Sequence, residues 1–415
     1  MKRKILFSII VSLVSLVSLE IVLRQFVAPC QKCYGLLFNR ELPPYKILPN
    51  RSKKSREDKL NEWVHVTVEG KKLTNSDFWG RMRDDGLIGY APEENSISTN
   101  GWWQSNNFGA RSRQPSSPNK QMNVERVLVF GDSNTQGVAI PENENFVYFL
   151  NEKIKNNEFL NFGVSGYSIG QAYLRYQALM DKLEFDRVFL VISPHQDLWR
   201  EINVNRYLAE GWYGDYVYNS PIFVLEDGKL KYIHRPYRTV KEFQDDNRDS
   251  IKPRYRNHLK KYDYFYDKCR YDSEYILDDF IIFKLLKKFY CHFNLKNEMD
   301  LKYQMDTGSD AVKVTRAIIE EMSREVQSKG AQFSLIILPI KYNIEQYTEN
   351  PAYKKSWDEM AAYICPTNAT CYDLMKDFET VPLSNLDSGH EIKGDHYGPK
   401  TNALIADFII NDAFQ

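Results

Sequence analysis

The residues best suited to chemistry are a serine and a histidine that lie far apart in the chain. Ser133 stands in Gly131-Asp132-Ser133, directly after the apolar run 126–130. Such a turn would expose the hydroxyl at the carboxyl edge of a sheet, with the backbone N–H facing a developing oxyanion. A serine becomes nucleophilic when a base takes its proton. His396, on a loop before the last predicted helix, is the candidate base.

Backbone N–H groups are expected to complete the site. Gly163 and Gly166 follow the apolar run 159–163. Without a Cβ, the backbone can approach a bound group closely. Both glycines are therefore candidate oxyanion donors.

Four blocks, taken in chain order, resemble the SGNH/GDSL hydrolase superfamily. They are 131–137, 161–166, 193–197 and 394–402. The resemblance covers about 121–200 and 310–415. It implies an α/β fold of the three-layer α/β/α flavodoxin-like kind, and ester hydrolysis or acyl transfer. It also implies that Ser133 is the nucleophile and His396 the general base and then acid, with the backbone N–H groups of Ser133 and Gly166 holding the oxyanion.

The chain departs from the family pattern at the third block. The family supplies an Asn side chain to the oxyanion hole, and Gln196 stands at the matching position. Gln carries the same amide on a side chain that is one methylene longer. Gln196 is therefore the predicted third donor, provided that its loop shifts to accommodate it.

The acid that orients the histidine is a second departure. The family has an acid two or three positions before the histidine, whereas here Asp395 is adjacent to His396. Asp387 has the usual spacing to His390, but His390 lacks the Gly-Pro-helix continuation that follows His396. The orienting acid stays open between Asp395 and Asp387, and His390 is the second candidate base.

Short apolar runs alternate with amphipathic stretches, which predicts a parallel sheet covered by helices on both faces. The predicted strands are 126–130, 159–163, 187–193, 333–339 and 371–375. The predicted helices are about 145–156, 169–183, 311–329 and 400–414. These elements form the predicted domain 121–415, which follows a polar juxtamembrane region, 25–120, expected to wrap around it.

An insertion from about 200 to 305 interrupts this alternation and is crowded with Tyr and charged residues. It opens with a hairpin pattern, 222–225 and 230–233 around Glu226-Asp-Gly228, which also resembles membrane-anchored bacterial members of the superfamily. An insertion here would lie over the carboxyl ends of the strands. The insertion is equally well interpreted in two ways. It is either a lid-like subdomain, whose aromatic side chains would stack on sugar rings, or a surface subdomain or partner contact.

Residues 1–24 predict a transmembrane helix. Lys2, Arg3 and Lys4 precede an apolar run, 5–23, that is broken only by serines and Glu20. At about 1.5 Å per residue the run can cross a bilayer core of roughly 30 Å. The basic cluster keeps this end in the cytoplasm, so the rest lies on the periplasmic or extracellular side. A cleaved signal peptide is the alternative.

Cysteine content agrees with export, since six cysteines can form disulfides outside the cytoplasm. The simplest pairing is Cys30–Cys33, Cys269–Cys291 and Cys365–Cys371. A redox role for the first pair is a minor alternative. No second close pair exists to complete a zinc site, so neither a metal nor a cofactor is predicted.

The chain carries 55 basic and 55 acidic residues, for a net charge of zero. A general nucleic-acid binder would show a basic excess, so the sequence argues against that class of protein.

The motifs and the N-terminal segment together predict a membrane-anchored serine ester hydrolase. Its predicted substrate is an acyl ester, with an envelope glycan as one candidate carrier of the acyl group. Its N-terminal helix is predicted to lie in a lipid bilayer. Two alternatives stay open: a catalytically silent envelope protein that binds a glycan or partner, and an O-acyltransferase using the same residues.

Overall fold

The computed structural model describes residues 2–30, 33–43, 58, 60–68, 70–204, 220–236, 253–267, 271, 276–293, 303, 305–390 and 396–414. The chain divides into two compact units. The first comprises Met1–Asn50 and Gln244–Asn297, and the second comprises Arg51–Phe243 and Glu298–Gln415. Much of the predicted insertion thus groups with the N-terminal segment, while its opening hairpin belongs to the unit that holds the sheet.

The first unit contains the apolar N-terminal helix and short elements around its end. They are α1 (Lys2–Arg24), β1 (Val27–Ala28), β2 (Gly35–Leu37), β3 (Arg40–Leu42), α7 (Pro253–Tyr262), a 3₁₀ turn (Ile276–Asp279) and α8 (Ile281–Phe293). By length and composition, α1 is a candidate membrane span. The first three strands form a small antiparallel sheet.

The second unit is built on five parallel strands. In chain order these are β8 (Glu125–Phe130), β9 (Asn157–Asn161), β10 (Arg187–Ile192), β13 (Gln332–Ile337) and β14 (Thr370–Asp373). They lie in the order β14-β13-β10-β8-β9. Counted within the sheet this is 2-1-3-4-5, the flavodoxin-like order, whose direction reverses between β8 and β10. The predicted strands and the flavodoxin-like sheet are confirmed.

Helices cover both faces of this sheet. In chain order, the helices of the second unit are α2 (Asn75–Trp79), α3 (Ser133–Gln136), α4 (Phe146–Lys153), α5 (Ile169–Leu179), α6 (Pro194–Asp197), α9 (Asp310–Ser328), α10 (Lys341–Glu349), α11 (Pro351–Ile364), α12 (Met375–Phe378) and α13 (Pro399–Ala413). α4 packs against α13, and α9 packs against both α5 and α11. Right-handed crossovers place α4 and α5 on opposite faces, because the strand order reverses direction after β9.

The region before the sheet is more ordered than the sequence predicts. It contains the antiparallel pairs β4 (Trp63–Val68) with β5 (Lys71–Thr74), and β6 (Met82–Asp85) with β7 (Gly89–Pro92). The predicted hairpin is confirmed as β11 (Ile222–Glu226) and β12 (Lys229–Ile233). It packs against β6–β7, since Tyr232 Oη donates to Leu87 O at 3.0 Å and Arg235 Nη2 to Asp85 O at 2.6 Å.

Disulfides hold short segments together in both units. Cys30–Cys33 and Cys365–Cys371 are bonded, which confirms two of the predicted pairs. Cys291 is also disulfide-bonded, and its predicted partner Cys269 lies outside the described residues.

A buried arginine secures the first strand of the large sheet. Arg126 is 1% exposed, and its Nε pairs with Glu158 Oε2 at 2.7 Å. The rest of its guanidinium donates to three backbone carbonyls, those of Pro118, Asn119 and Glu184. These bonds tie the segment before β8 to the start of β9 and to the loop before β10.

Replacing Arg126 with Met should destabilise the second unit by about 3–5 kcal/mol, because it leaves a carboxylate and three carbonyls without their donor. Arg316→Met is the matched control: Arg316 pairs with Glu320 on the surface of α9 at 2.8 Å, a contact worth about 0.5 kcal/mol or less. Urea denaturation of the detergent-solubilised chain, followed by tryptophan fluorescence, compares the two. Equal midpoints would show that the Arg126 network contributes no stability.

Candidate active site

Ser133 lies at the carboxyl end of β8, as the first residue of α3. Gly131 makes the turn possible, since a Cβ there would lie 2.2 Å from Thr135 Oγ1 and 2.6 Å from Val191 O. Asp132 caps the helix by accepting the N–H of Asn134 at 2.9 Å. Ser133 is 3% exposed, and its hydroxyl donates to Asp132 Oδ2 at 3.4 Å. Ligands of open α/β sheets bind at this reversal point between β8 and β10.

The loop that carries the candidate base contacts the segment just after α3. His390 N–H donates to Ala139 O at 3.0 Å, and Gly389 N–H donates to His396 O at 2.9 Å. Val138 N–H in turn donates to Ser133 O at 3.1 Å. The backbone of His396 is thus connected to that of Ser133 through three hydrogen bonds and the adjacent residue pairs 389–390 and 138–139, although the two residues are 263 positions apart in the sequence.

The two candidate bases differ in their surroundings. His396 is half-buried, and Tyr397 beside it is fixed by a hydrogen bond from its hydroxyl to Pro339 O at 2.7 Å. His390 is exposed, and its ring lies edge-on to Trp102 at 5.3 Å between centroids. Tyr397 thus fixes the residue next to His396 near the end of β13, and the choice between the two bases stays a prediction.

Asp387 makes the contacts of a helix cap. Its carboxylate accepts the N–H groups of Lys400 at 3.0 Å and Thr401 at 2.8 Å, and the hydroxyl of Thr401 at 2.7 Å. A carboxylate at the start of α13 satisfies N–H groups that have no partner within the helix. Asp395 lies outside the described residues. The identity of the acid that orients the histidine therefore stays a prediction, with one candidate already engaged elsewhere.

The second block contacts α3 from the loop after β9. Ser165 N–H donates to Gln136 Oε1 at 2.6 Å, which places the loop containing Gly166 beside α3. The expectation that Gly163 donates to an oxyanion is wrong. Its N–H donates to Asn161 Oδ1 at 3.0 Å, and its missing Cβ instead lets the loop approach the backbone of α3.

The third block contacts α3 from the end of β10. Asn134 Nδ2 donates to Ser193 Oγ at 3.2 Å. Gln196 is half-buried, and its Oε1 accepts Arg200 Nη2 at 3.3 Å. This bond holds the amide by its oxygen. Donation to an oxyanion would use the NH₂ group at the other end of the same amide. The role of Gln196 as a donor remains a prediction.

A buried charge cluster that includes Asp132, the neighbour of Ser133 in the chain, was not predicted from the sequence. Asp197 accepts Ser193 N–H at 2.6 Å and Arg200 Nη1 at 2.7 Å, and the same guanidinium lies 3.6 Å from Asp132 Oδ2. Burial, followed by the charge of Asp132, raises the pKa of Asp197 well above its usual range. The only available signal was Asp197 and Arg200 at i and i+3, a spacing common on any helix.

A second buried arginine holds the far end of α3. Arg111 donates to the carbonyls of Gln136, Gly137 and Ile140. Burial lowers its pKa to about 10, so the side chain stays charged at neutral pH. The carbonyls at the end of a helix attract a cation. The segment before the sheet therefore contributes directly to the position of the serine.

Known proteins similar to this chain are found among solved structures. No family model matches the chain, and no curated protein matches it. Several solved structures do. An acetyl xylan esterase, AlAXEase, is 16% identical with a TM-score of 0.34 and covers 70% of this chain and all of its own. A lipolytic protein of the G-D-S-L family from Veillonella parvula DSM 2008 is 12% identical (TM-score 0.30), with coverage of 70% and 98%.

A third solved structure is a catalytic mutant of Axe2, an acetylxylan esterase from Geobacillus stearothermophilus. It is 11% identical with a TM-score of 0.34, and covers 71% of this chain and 98% of its own.

Gly163→Ala should disturb the contact between the second block and α3. The new Cβ would lie 2.4 Å from Gln136 N and 2.7 Å from the carbonyl carbon of Thr135, and backbone cannot move aside as a side chain can. We expect a loss of about 1–3 kcal/mol of stability. Gly86→Ala is the control, because no atom lies within 4 Å of its added Cβ. Identical denaturation midpoints for the two variants would contradict this packing.

The pH dependence of stability tests the buried acid. A raised pKa means that the folded protein keeps a proton on Asp197 that the unfolded chain releases. The stabilising contribution of protonated Asp197 to the unfolding free energy is therefore complete below the ordinary aspartate pKa. It is lost as the pH rises through the raised pKa. Asp197→Asn should flatten the fall in unfolding free energy as the pH rises above about 4.

The control for this test is Asp227→Asn, which changes an exposed acid in the β11–β12 turn. It should leave the wild-type pH profile unchanged. The prediction fails if Asp197→Asn also retains that profile.

Proposed function

We propose that this protein is a serine ester hydrolase of the SGNH/GDSL type, anchored by α1 with its catalytic unit outside the cytoplasm. The observation that carries this proposal is the convergence of three separate loop segments on α3, at the reversal point of a flavodoxin-like sheet. The segments 161–166, 193–200 and 387–390 each contact the Ser133 turn or the residues that follow it. A structural turn alone would not require all three.

In this proposal Ser133 Oγ attacks the acyl carbonyl as His396 accepts its proton. The backbone N–H groups of Ser133 and Gly166 and the amide of Gln196 stabilise the oxyanion. His396 then returns the proton to the departing alkoxide, which leaves an acyl-serine, and water activated by the same imidazole releases the acid. The proton transfers are worth roughly 10²–10⁴-fold in rate, and one oxyanion donor roughly 10²–10³-fold.

The orienting acid is proposed to be Asp395, with Asp387 as the alternative. Asp387 already accepts three hydrogen bonds from the start of α13, so its carboxylate would have to serve both contacts. Asp132, although next to the nucleophile, is directed toward Asn134 and Arg200. That geometry suits it to hold the turn rather than to orient an imidazole.

An envelope glycan is the proposed carrier of the acyl group. An anchored enzyme facing away from the cytoplasm would meet acylated polymers of the cell envelope. The insertion is rich in tyrosine, whose aromatic faces suit sugar rings. Acetylated polysaccharides are therefore the first substrates to test, beside p-nitrophenyl acetate.

A fluorophosphonate probe on the full chain in detergent tests the catalytic assignment. We expect labelling at Ser133 that Ser133→Ala abolishes, and that His396→Ala reduces by roughly 10²–10⁴-fold in rate. Ser328→Ala changes an exposed serine near the end of α9 and should label like the wild type.

The alternatives give different outcomes in the same experiment. Folded wild-type protein without any label would identify a catalytically silent scaffold. Labelling at Ser133, together with acetyl transfer to an added glycan in preference to water, would identify an O-acyltransferase.

A further inference from the structure

Glu20 is a carboxylate within the apolar run of α1, and the structure gives it a specific role. It is 5% exposed, and it accepts the N–H groups of Ile281 at 2.9 Å and Ile282 at 3.1 Å. It also pairs with Arg24 Nε at 2.9 Å, and Arg24 Nη2 donates to Asp279 O at 2.9 Å. The start of α8 is thereby fixed to the last turn of α1.

These bonds set the depth of α8 relative to α1. Glu20 lies four residues before Arg24, about 6 Å along the helix axis. A charged carboxylate is costly in the hydrocarbon core but is tolerated where it is paired and hydrogen-bonded near the boundary. If α1 spans the bilayer, as proposed above, α8 begins where the hydrocarbon gives way to headgroups.

One face of α8 packs inside its own unit. Ile281 forms a buried cluster with Leu37 and Leu42 of the small sheet. Lys284 is 1% exposed, with its ammonium 3.8 Å from the centroid of the Tyr34 ring. These contacts attach one face of α8 to the small sheet.

The opposite face carries large apolar side chains that are mostly exposed to solvent. Leu286, Phe289 and Tyr290 are 62%, 68% and 67% exposed. Lys287 follows Leu286 in the sequence, whereas Lys288 belongs to the packed face, since its Nζ donates to Glu41 O of β3 at 2.6 Å. Exposed aromatic and aliphatic side chains flanked by lysine are typical of helices that lie in a membrane interface, and the lysine favours anionic lipids.

An apolar cavity of about 790 Å³ adjoins the same region. Its lining includes Leu23 of α1, Phe38 and Phe289, with Arg40 and Lys288 as the cationic side chains. A cavity next to the end of a membrane helix, apolar inside and bearing two cations, is suited to acyl chains that continue from the bilayer.

We infer that α8 is a second membrane contact, lying in the headgroup layer of the leaflet from which α1 emerges, with the lipid bilayer covering Leu286, Phe289 and Tyr290. The inference rests on the proposed anchoring by α1. Glu20 couples the two helices, so that one spans the bilayer and the other lies along its surface. The same contact would orient the first unit on the membrane.

Fluorescent labels on the full chain in liposomes test this contact. Leu286→Cys and Phe289→Cys change exposed residues, so both variants should fold. Each is labelled with an environment-sensitive dye, in vesicles that carry nitroxide lipids with the quencher near the headgroup or deep in the acyl chain. Leu16→Cys reports on α1, and Met122→Cys, at an 88% exposed residue of the other unit, reports on water.

We expect blue-shifted emission at positions 286 and 289 and loss of fluorescence with the shallow quencher, stronger when the vesicles contain anionic lipid. Leu16→Cys should respond to the deep quencher, and Met122→Cys to neither. If the label at position 16 is quenched while the labels at 286 and 289 are unquenched, as at 122, the inference about α8 is overturned. The proposed anchoring by α1 would then still stand. A disulfide-linked dimer of the unlabelled Leu286→Cys variant, joined through the introduced thiols, would assign the face to a second copy instead. An unquenched position 16 would refute both the anchor and the inference.

Discussion

The buried guanidinium of Arg111 is the interaction on which the candidate site depends most. It joins a segment that precedes the sheet to the backbone that follows Ser133, through the carbonyls of Gln136, Gly137 and Ile140. A desolvated cation is tolerated only where acceptors surround it. The chain between β7 and β8 is therefore part of the site, since it supplies the charge that α3 requires at its carboxyl end.

The parallel sheet could be predicted because its central strands contain short runs of apolar residues bounded by glycine, proline or polar residues. Residues 127–130 show the pattern well and are fully buried. The helices after the sheet's third strand were predicted only in part, since α10 and α11 carry Tyr, Asn and Lys that weaken the apolar period. β4 to β7 were not predicted, because strands of four to six residues with mixed polarity gain stability from tertiary contacts rather than from their own pattern.

The candidate site was predictable to the extent that it rests on local sequence. Ser133 and the order of the blocks could be identified from the motifs. The use of Gly163 could not, because only the fold brings Asn161 Oδ1 to its N–H and α3 against its Cα. Asp197 and Arg200 form their network with Asp132 across two strands, and the capping contacts of Asp387 span 14 residues. Such pairings depend on strand order, which residue types alone do not encode.

The Cys365–Cys371 bond has a consequence for the edge of the large sheet. β14 is a four-residue edge strand, and Cys371 within it is tied to the residue after α11. A strand this short could otherwise exchange with another chain's strand and leave the open side of β13 as a template for aggregation. Because of this covalent bond, β14 can dissociate from the sheet only together with the end of α11. Correct oxidation would thus protect the solubility of the chain, beyond any gain in its folding free energy.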